Sequence, residues 1–145
     1  MIVFRLTRMN DFEPEFPGEQ HKLCPVVLKG QLYLFGGKDK THQVIRMNHC
    51  GYERLLDMPF KFDKGRCASM DFGQRAILCA SKKDPKHCHI FDGLDWFQTF
   101  DSNKKHDQGG LIEHKDQVFL FGGNDINVEK FDRVYSDWVR LNQKL

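Results

Sequence analysis

His87, Cys88 and His89 stand in a row, and a second His-Cys pair stands at His49 and Cys50. Imidazole and thiolate groups are the donors that zinc takes in tetrahedral sites. Adjacent residues of a strand point to opposite faces, so at most His87 and His89 share one face. No CxxC or HxxxH pair completes a ligand set. We therefore predict no metal and no cofactor, and assign these residues to a third strand and its loop.

The five cysteines are odd in number and lack the spacing of a disulfide framework. The N-terminus shows no export signal, and a chain of this kind keeps its thiols reduced. A catalytic thiol needs a neighbouring histidine or helix N-terminus, and the sequence indicates neither. We expect structural thiols, no catalytic residue, and a location in the cytoplasm or the nucleus.

The composition favours one soluble globular domain: the chain has 145 residues, of which 29% are charged and 40% hydrophobic. A formal net charge of +2 is too small to indicate a nucleic-acid partner. No apolar run approaches the roughly 20 residues that cross a bilayer. Partners other than nucleic acid and membrane are therefore expected.

An internal repeat organises the chain. Three fourteen-residue segments, 24–37, 68–81 and 110–123, align without a gap at offsets of 44 and 42 residues, within the range of propeller blades. Each predicts two short strands around a tight turn, centred on Lys29-Gly30, Gly73-Gln74 and Lys115-Asp116. The second strands, 32–35, 76–79 and 118–121, are continuous apolar runs, which predicts burial on both faces.

Two further strands follow in each unit, the third at 43–47, 87–91 and 127–131. The fourth begins at an aromatic residue, Tyr52, Trp96 or Trp138, and these aromatics keep the offsets of 44 and 42 residues. Their fixed place in the repeat predicts packing between neighbouring units. The repeats span about 24–56, 68–100 and 110–142, with 2–7 as the last strand of a preceding unit and 11–20 as a surface connector.

These features resemble the kelch repeat, whose marks are a double glycine after a strand, an aromatic-Asp pair and a later tryptophan. The third unit has Gly122-Gly123, Phe131-Asp132 and Trp138. The second keeps Phe91-Asp92 and Trp96 but has Ala80-Ser81 for the glycines. The first keeps Gly36-Gly37 but has Met47-Asn48 and Tyr52. The resemblance covers the chain from about Cys24 to its end.

The resemblance implies an all-β fold, a partial kelch-type β-propeller of three four-stranded antiparallel blades plus one N-terminal strand. Propellers close with about four to eight blades. We therefore expect a fragment of a larger propeller, or an arc that other chains or further copies of itself complete.

Loops are the predicted binding residues, because repeat scaffolds carry recognition there. The turns after the second and fourth strands leave one face of the disc, with a mild basic bias that favours a protein partner with an acidic peptide segment. Kelch repeats often carry an arginine near the channel mouth, so Arg66 is a first choice together with Lys64. The protein-binding candidates are Lys38, Lys40, Lys64, Arg66, Lys82, Lys83, Lys104 and Lys105.

The resemblance implies a non-catalytic protein-interaction module, an adaptor or substrate-recognition scaffold. One alternative is a kelch-fold copper enzyme of the galactose-oxidase kind, which needs tyrosine and histidine ligands on one face. The tyrosines are Tyr33, Tyr52 and Tyr135, and packing explains two of them. The other alternative is a truncated product without independent function.

Overall fold

A computed structural model describes the backbone of residues 22–49, 51–124 and 126–144, and the side chains as far as residue 142. Within these ranges the chain is all-β, and its strands form three four-stranded antiparallel sheets in a propeller-like arrangement. The predicted fold class is confirmed at this level. The described residues contain no apolar helix of membrane-crossing length. The predicted strand 2–7 and connector 11–20 lie outside the described residues.

Each sheet takes four consecutive strands in chain order. The first sheet contains β1 (Leu23–Leu28), β2 (Gln31–Gly36), β3 (Val44–Asn48) and β4 (Gly51–Arg54). The second contains β5 (Arg66–Met70), β6 (Arg75–Ser81), β7 (Asp84–Phe91) and β8 (Trp96–Gln98). The third contains β9 (Gly110–His114), β10 (Gln117–Phe121), β11 (Asn127–Asp132) and β12 (Asp137–Lys144).

Two of the three predicted tight turns are present. Lys29 and Gly30 have φ values of 50° and 74°, and Lys115 and Asp116 have values of 50° and 59°. Two consecutive residues with positive φ are the mark of the type I′ turn, whose twist matches that of the strands it joins. These turns connect β1 to β2 and β9 to β10.

The middle turn differs from the prediction, and the difference changes the repeat alignment. Met70 pairs with Arg75, so four residues, 71–74, separate β5 from β6 instead of a two-residue turn at Gly73-Gln74. The loop closes through the carbonyl oxygen of Asp71, which accepts a hydrogen bond from the amide of Gln74 at 3.1 Å. The carboxylate of Asp71 also pairs with Arg75. The gapless alignment of the three hairpins was therefore wrong by two residues along β5.

The turns between third and fourth strands explain why an aspartate follows the aromatic residue. The Asp92 carboxylate accepts hydrogen bonds from the backbone amides of Leu94 and Asp95, both at 2.8 Å. Asp132 does the same for Val134 and Tyr135, at 2.9 and 3.3 Å. An aspartate that bonds its own following amides fixes a turn locally.

The small residues that end the second strands need left-handed backbone conformations. Gly36, Ala80 and Gly122 occupy the same place in their units, with φ values of 75°, 55° and 70°. Glycine adopts this region without steric cost, whereas alanine does not. The space around the two glycines also differs. A Cβ on Gly36 would stand 2.6 Å from the carbonyl oxygen of Phe62, while a Cβ on Gly122 would meet nothing within 4 Å.

The core lies between the sheets. Phe35 of the first sheet contacts Phe91 and Trp96 of the second, with ring centroids 5.8 Å apart in both pairs and edge-to-face geometry. A second cluster joins the middle and third sheets and includes Ile77 and Leu120. The inner strands β1, β5 and β9 lie next to one another in that order.

Burial of the second strands was predicted on both faces, and only β6 shows it. Residues 76–79 are at most 1% exposed, because the middle sheet has a neighbouring sheet on each side. β2 and β10 belong to the outer sheets and alternate instead: Leu32 is 38% exposed, and Phe119 and Phe121 are half-buried. The prediction was wrong for these two strands.

Four of the five cysteines form disulfides, which corrects the expectation of reduced thiols. Cys24 of β1 is bonded to Cys67 of β5, with their Cα atoms 6.0 Å apart. Cys79 of β6 is bonded to Cys88 of β7, its direct partner in the ladder, with a Cα separation of 4.3 Å. Cys50 lies outside the described residues. Sheet pairing and sheet stacking brought these residues together, and sequence spacing carried no sign of either contact.

The two equivalent glycines offer a matched test of the fold. We expect Gly36→Ala to lower the free energy of unfolding by about 2 kcal/mol or more, because the methyl group meets a backbone carbonyl in addition to the unfavourable φ. Gly122→Ala should cost about 1 kcal/mol from backbone conformation alone. Urea denaturation followed by tryptophan fluorescence measures both. Equal losses would contradict the close approach of Phe62 to Gly36.

Candidate functional site

A cavity of about 500 Å³ opens where the inner strands β1 and β5 begin. We call it the cationic cavity. Leu23 at the start of β1 pairs with Gly36 at the end of β2, and Arg66 at the start of β5 pairs with Cys79 near the end of β6. The cavity therefore lies at the end of the sheets that carries two kinds of connection: from the second strand to the third within a sheet, and from the fourth strand to the first strand of the next sheet. Its lining consists of Lys22, Leu23, Cys24, Pro25, Lys64, Gly65, Arg66 and Gln108.

Equivalent positions of the three repeats meet in this cavity. Val26, Ala68 and Ile112 occupy matching places in their ladders, opposite Tyr33, Ile77 and Phe119. Lys22, Lys64 and Gln108 each stand four residues earlier. All three line the cavity.

The same three residues share an unusual backbone conformation. Lys22, Lys64 and Gln108 have φ values of 72°, 52° and 58°. Residues other than glycine enter this left-handed region at a cost of about 1–2 kcal/mol. Such strain persists where surrounding structure holds it, and it clusters at functional sites.

The charge of the cavity is one-sided. Lys22, Lys64 and Arg66 contribute three cations, and no carboxylate is among the described residues of the lining. Lys22 is exposed, whereas Lys64 and Arg66 are half-buried. Partial burial strengthens the attraction of these charges for an anion, since fewer water molecules screen them.

Arg66 is held in place by the backbone around it. Its Nε donates a hydrogen bond to the carbonyl oxygen of Gly109 at 2.8 Å. Its Nη1 lies 3.3 Å from the carbonyl oxygens of Lys64 and Gly65. Nη2 is the nitrogen that remains to bind a ligand, so Arg66 offers the cavity one guanidinium nitrogen in a fixed position.

Two cross-links join the walls of the cavity. The Cys24–Cys67 disulfide connects β1 to β5, and the bond from Arg66 to Gly109 connects β5 to the segment before β9. The starts of all three inner strands are therefore tied to one another at this end. A cavity built in this way loses little freedom when a ligand binds.

The segment 99–109, which supplies Gln108 and Gly109, is anchored by the buried carboxylate of Glu129 on β11. Glu129 and His106 are both 0% exposed. Glu129 accepts hydrogen bonds from the amide and side chain of Asn103 at 2.9 and 3.0 Å and from the amide of Lys104 at 2.9 Å. The Nε2 of His106 lies 3.0 Å from the same carboxylate, and its Nδ1 lies 2.9 Å from the carbonyl oxygen of Gly122.

These contacts decide the ionisation of Glu129. Burial opposes the charged form, but the hydrogen bonds from His106, Asn103 and Lys104 outweigh it and lower the pKa of Glu129 below its ordinary value. Both ring nitrogens of His106 face oxygen acceptors, which a ring satisfies only with an N–H on each nitrogen. The arrangement is a buried carboxylate held by a network of hydrogen bonds.

The other predicted binding lysines lie outside the lining of the cationic cavity. Five of them are exposed on loops at the same sheet ends: Lys38, Lys40, Lys82, Lys83 and Lys105. Lys104 is half-buried, and its amide bonds Glu129. The structure thus brings together Lys64 and Arg66 from the predicted set.

The repeated aromatic residues differ in their surroundings. Trp138 is buried and packs on Phe131, with ring centroids 5.2 Å apart. Trp96 is half-buried and reaches across to Phe35 and Phe60, with centroids at 5.8 and 5.1 Å. Tyr52 is half-buried on β4. Of the glycines predicted to occupy structural repeat positions, Gly37 and Gly123 also have positive φ values, 132° and 82°.

The histidine row has packing partners instead of a ligand set. His87 and His89 share one face of β7, with ring centroids 6.4 Å apart, and Cys88 faces the core in its disulfide. His89 stacks on Phe60 at 3.6 Å. Burial, and to a smaller extent the neighbouring His87, lowers the pKa of His89 to about 4. Residues 22–49, 51–124 and 126–144 contain no cluster of three or more His, Cys, Asp or Glu side chains suited to a metal ion.

Lys22 and Gln108 are the cavity residues that sequence reasoning missed. The gapless alignment set Arg66 opposite both of them, whereas the ladders equate them with Lys64. A two-residue gap in the middle hairpin would have revealed the match. Glu129 and His106 left no such signal, because their meeting depends on the path of segment 99–109.

Comparisons with known proteins give no match: neither a protein-family model nor a curated protein matches this chain.

Removal of the Glu129 charge tests the anchor of segment 99–109. We expect Glu129→Gln to lower the free energy of unfolding at pH 7 by about 3 kcal/mol, because donors that bonded a carboxylate lose their partner. Glu53→Gln is the matched control, since Glu53 forms an exposed pair with Arg46 at 2.5 Å and should cost less than about 1 kcal/mol. Chemical denaturation measures both.

The difference in stability between the wild-type protein and Glu129→Gln should depend on pH. The pKa of Glu129 is lowered on folding, so its stabilisation is present above the unfolded value of about 4.3 and declines as the pH falls through the native pKa. The stability gap between wild type and Glu129→Gln should narrow over that range. A gap that is constant from pH 7 to pH 3 would contradict the ionised anchor.

The stacking of His89 predicts an NMR titration. The ring should titrate at about 4 in the wild-type protein, and Phe60→Ala should move the pKa towards the ordinary value of about 6.5, because the ring gains access to water. Phe72→Ala removes a phenylalanine that is 87% exposed and is the control. An unchanged His89 titration in Phe60→Ala would show that Phe60 does not bury the ring.

Proposed function

We propose that this chain is a non-catalytic protein-binding module that holds an acidic segment of its partner at the cationic cavity. The observation that carries the proposal is the convergence of Lys22, Lys64 and Arg66 on one concave surface, where the residues that the structure describes include no carboxylate. Clefts lined by one sign of charge attract ligands of the opposite sign and raise the rate of encounter.

The side chains that line the cavity support binding rather than catalysis. Lysine ammonium groups and one guanidinium nitrogen donate hydrogen bonds, and they match carboxylate oxygens. Gln108 adds an amide that both donates and accepts. A side chain of Asp or Glu in an extended peptide would fit these groups.

The kelch-type identity of the repeats belongs to the same proposal. It is supported by the aspartate-capped turns at Asp92 and Asp132 and by the left-handed conformations of Gly36 and Gly122. The roles as adaptor or substrate-recognition scaffold follow from the resemblance. A cytoplasmic or nuclear location stays a prediction, and the two disulfides weigh against it, since such bonds persist mainly in oxidising compartments.

A charge-neutralising pair of variants tests the binding. The probe is a fluorescein-labelled hexaglutamate peptide, and its anisotropy gives Kd at low ionic strength. We expect Lys22→Gln and Lys64→Gln each to raise Kd about fivefold, because each removes a charge-assisted hydrogen bond of about 1 kcal/mol. Glutamine is a suitable replacement, since Gln108 occupies the equivalent position with the same backbone conformation.

The control is Lys38→Gln, which removes the same charge from an exposed loop outside the cavity lining. It should change Kd less than twofold, and Kd for all proteins should rise with salt. Equal effects of the three variants would mean that net charge, and not the cationic cavity, binds the peptide. Absence of binding by the wild-type protein would overturn the proposed function.

A further inference from the structure

The two disulfides differ in their exposure. Cys79 and Cys88 are 1% and 0% exposed and lie within the core of the middle sheet. Cys24 and Cys67 are half-buried, and Cys24 lines the cationic cavity. Reduction of a disulfide requires direct attack by a thiolate on sulfur, so access decides which bond reacts first. A reductant in solution reaches Cys24–Cys67 before Cys79–Cys88.

The more accessible disulfide, Cys24–Cys67, lies where the first two sheets meet. It joins β1 to β5 next to Lys22, Lys64 and Arg66. At the opposite end of these strands, hydrogen bonds also join the first two sheets, from the Lys29 amide to the carbonyl oxygen of Gly73 at 2.8 Å and from the Lys29 ammonium group to that of Asp92 at 2.6 Å. Cleavage of the disulfide removes the direct tie between β1 and β5 at the cavity end. Segment 55–65 still connects the two sheets there, since its Phe62 amide donates a hydrogen bond to the carbonyl oxygen of Thr41 and its Asp63 carbonyl accepts one from the Lys82 amide.

We propose that Cys24–Cys67 is a redox-sensitive cross-link that sets the affinity of the cationic cavity, which a dithiol reductant lowers by opening it. This inference rests on the proposed function. One thiolate of the dithiol attacks a sulfur, breaks the S–S bond and forms a mixed disulfide. Its second thiol then displaces the protein sulfur. Two electrons and two protons pass to Cys24 and Cys67, which become thiols, and the dithiol is oxidised to its disulfide.

Reduction weakens anion binding through a loss of order. Lys22 on the β1 side loses its disulfide cross-link to Lys64 and Arg66 on the β5 side, so a ligand must order the two walls when it binds.

The sheets themselves stay folded after this step. The core between the first and second sheets includes Leu28, Phe35, Leu78 and Phe91, each at most 3% exposed. Cys79–Cys88 remains closed inside the middle sheet. The change is therefore confined to the cavity, and reoxidation restores the closed state because the packed core keeps Cys24 and Cys67 adjacent.

The test uses the full chain with Cys50→Ser, which prevents exchange with the fifth cysteine. Graded dithiothreitol, followed by alkylation and peptide mass spectrometry, gives the extent of reduction of each disulfide. We expect Cys24–Cys67 to open first, and Kd for the hexaglutamate peptide to rise about fivefold at that point. A Cys24→Ser/Cys67→Ser variant should show the weaker Kd without reductant and no further response to it.

Three outcomes overturn the inference. They are opening of Cys79–Cys88 at the same reductant concentration, an unchanged Kd after selective reduction, and a doubly substituted variant that still responds to dithiothreitol. If the oxidised protein does not bind the peptide, the proposed function fails, and hydrogen exchange then tests the role of the cross-link on its own. Faster exchange in 23–28 and 66–70 after selective reduction supports the cross-link, and unchanged exchange rejects it.

Discussion

The stacking of one sheet against the next is the interaction on which the rest of this structure depends. A four-stranded antiparallel sheet with two apolar faces is not stable in water, and each sheet here buries a face against its neighbour. Phe35, Phe91 and Trp96 fill the first interface through edge-to-face and stacked contacts. Stacking places the inner strands side by side, and that adjacency creates the cationic cavity.

Once the inner strands are adjacent, residues far apart in sequence become neighbours. Lys22, Lys64 and Gln108 come from three repeats, yet they line one cavity because each stands at the same point before its inner strand. Because the three repeats meet at one opening, a charged residue at this repeat position is brought close to its equivalents in the other repeats. The third repeat has glutamine there, and Arg66 provides the third positive charge.

Much of the fold could be predicted from the sequence, because the period of about 42–44 residues and the alternation of apolar runs with turn residues are local signals. The disulfides could not, since Cys24 meets Cys67 only across two stacked sheets. Part of the site was predictable, because Lys64 stands just before, and Arg66 at, the start of a recognisable strand. Lys22 and Gln108 depended on the length of the loop 71–74, which only the strand pairing reveals.

The two connectors between sheets, segments 55–65 and 99–109, cover equivalent positions of the third strands by different interactions. His89 and Glu129 occupy equivalent places, opposite Leu78 and Leu120 in their ladders. The first connector covers His89 by stacking Phe60 on a neutral ring, whereas the second covers Glu129 with hydrogen bonds to a charged carboxylate.

Both arrangements respond to acid in the same direction, although their charges differ. The pKa of His89 falls from about 6.5 to about 4 on folding, so its contribution declines as the pH falls through that interval. The contribution of Glu129 declines at lower pH, below about 4.3. Segment 55–65 supplies Lys64, and segment 99–109 supplies Gln108. On acidification the contribution of His89, which segment 55–65 covers, therefore declines before that of Glu129, which segment 99–109 covers.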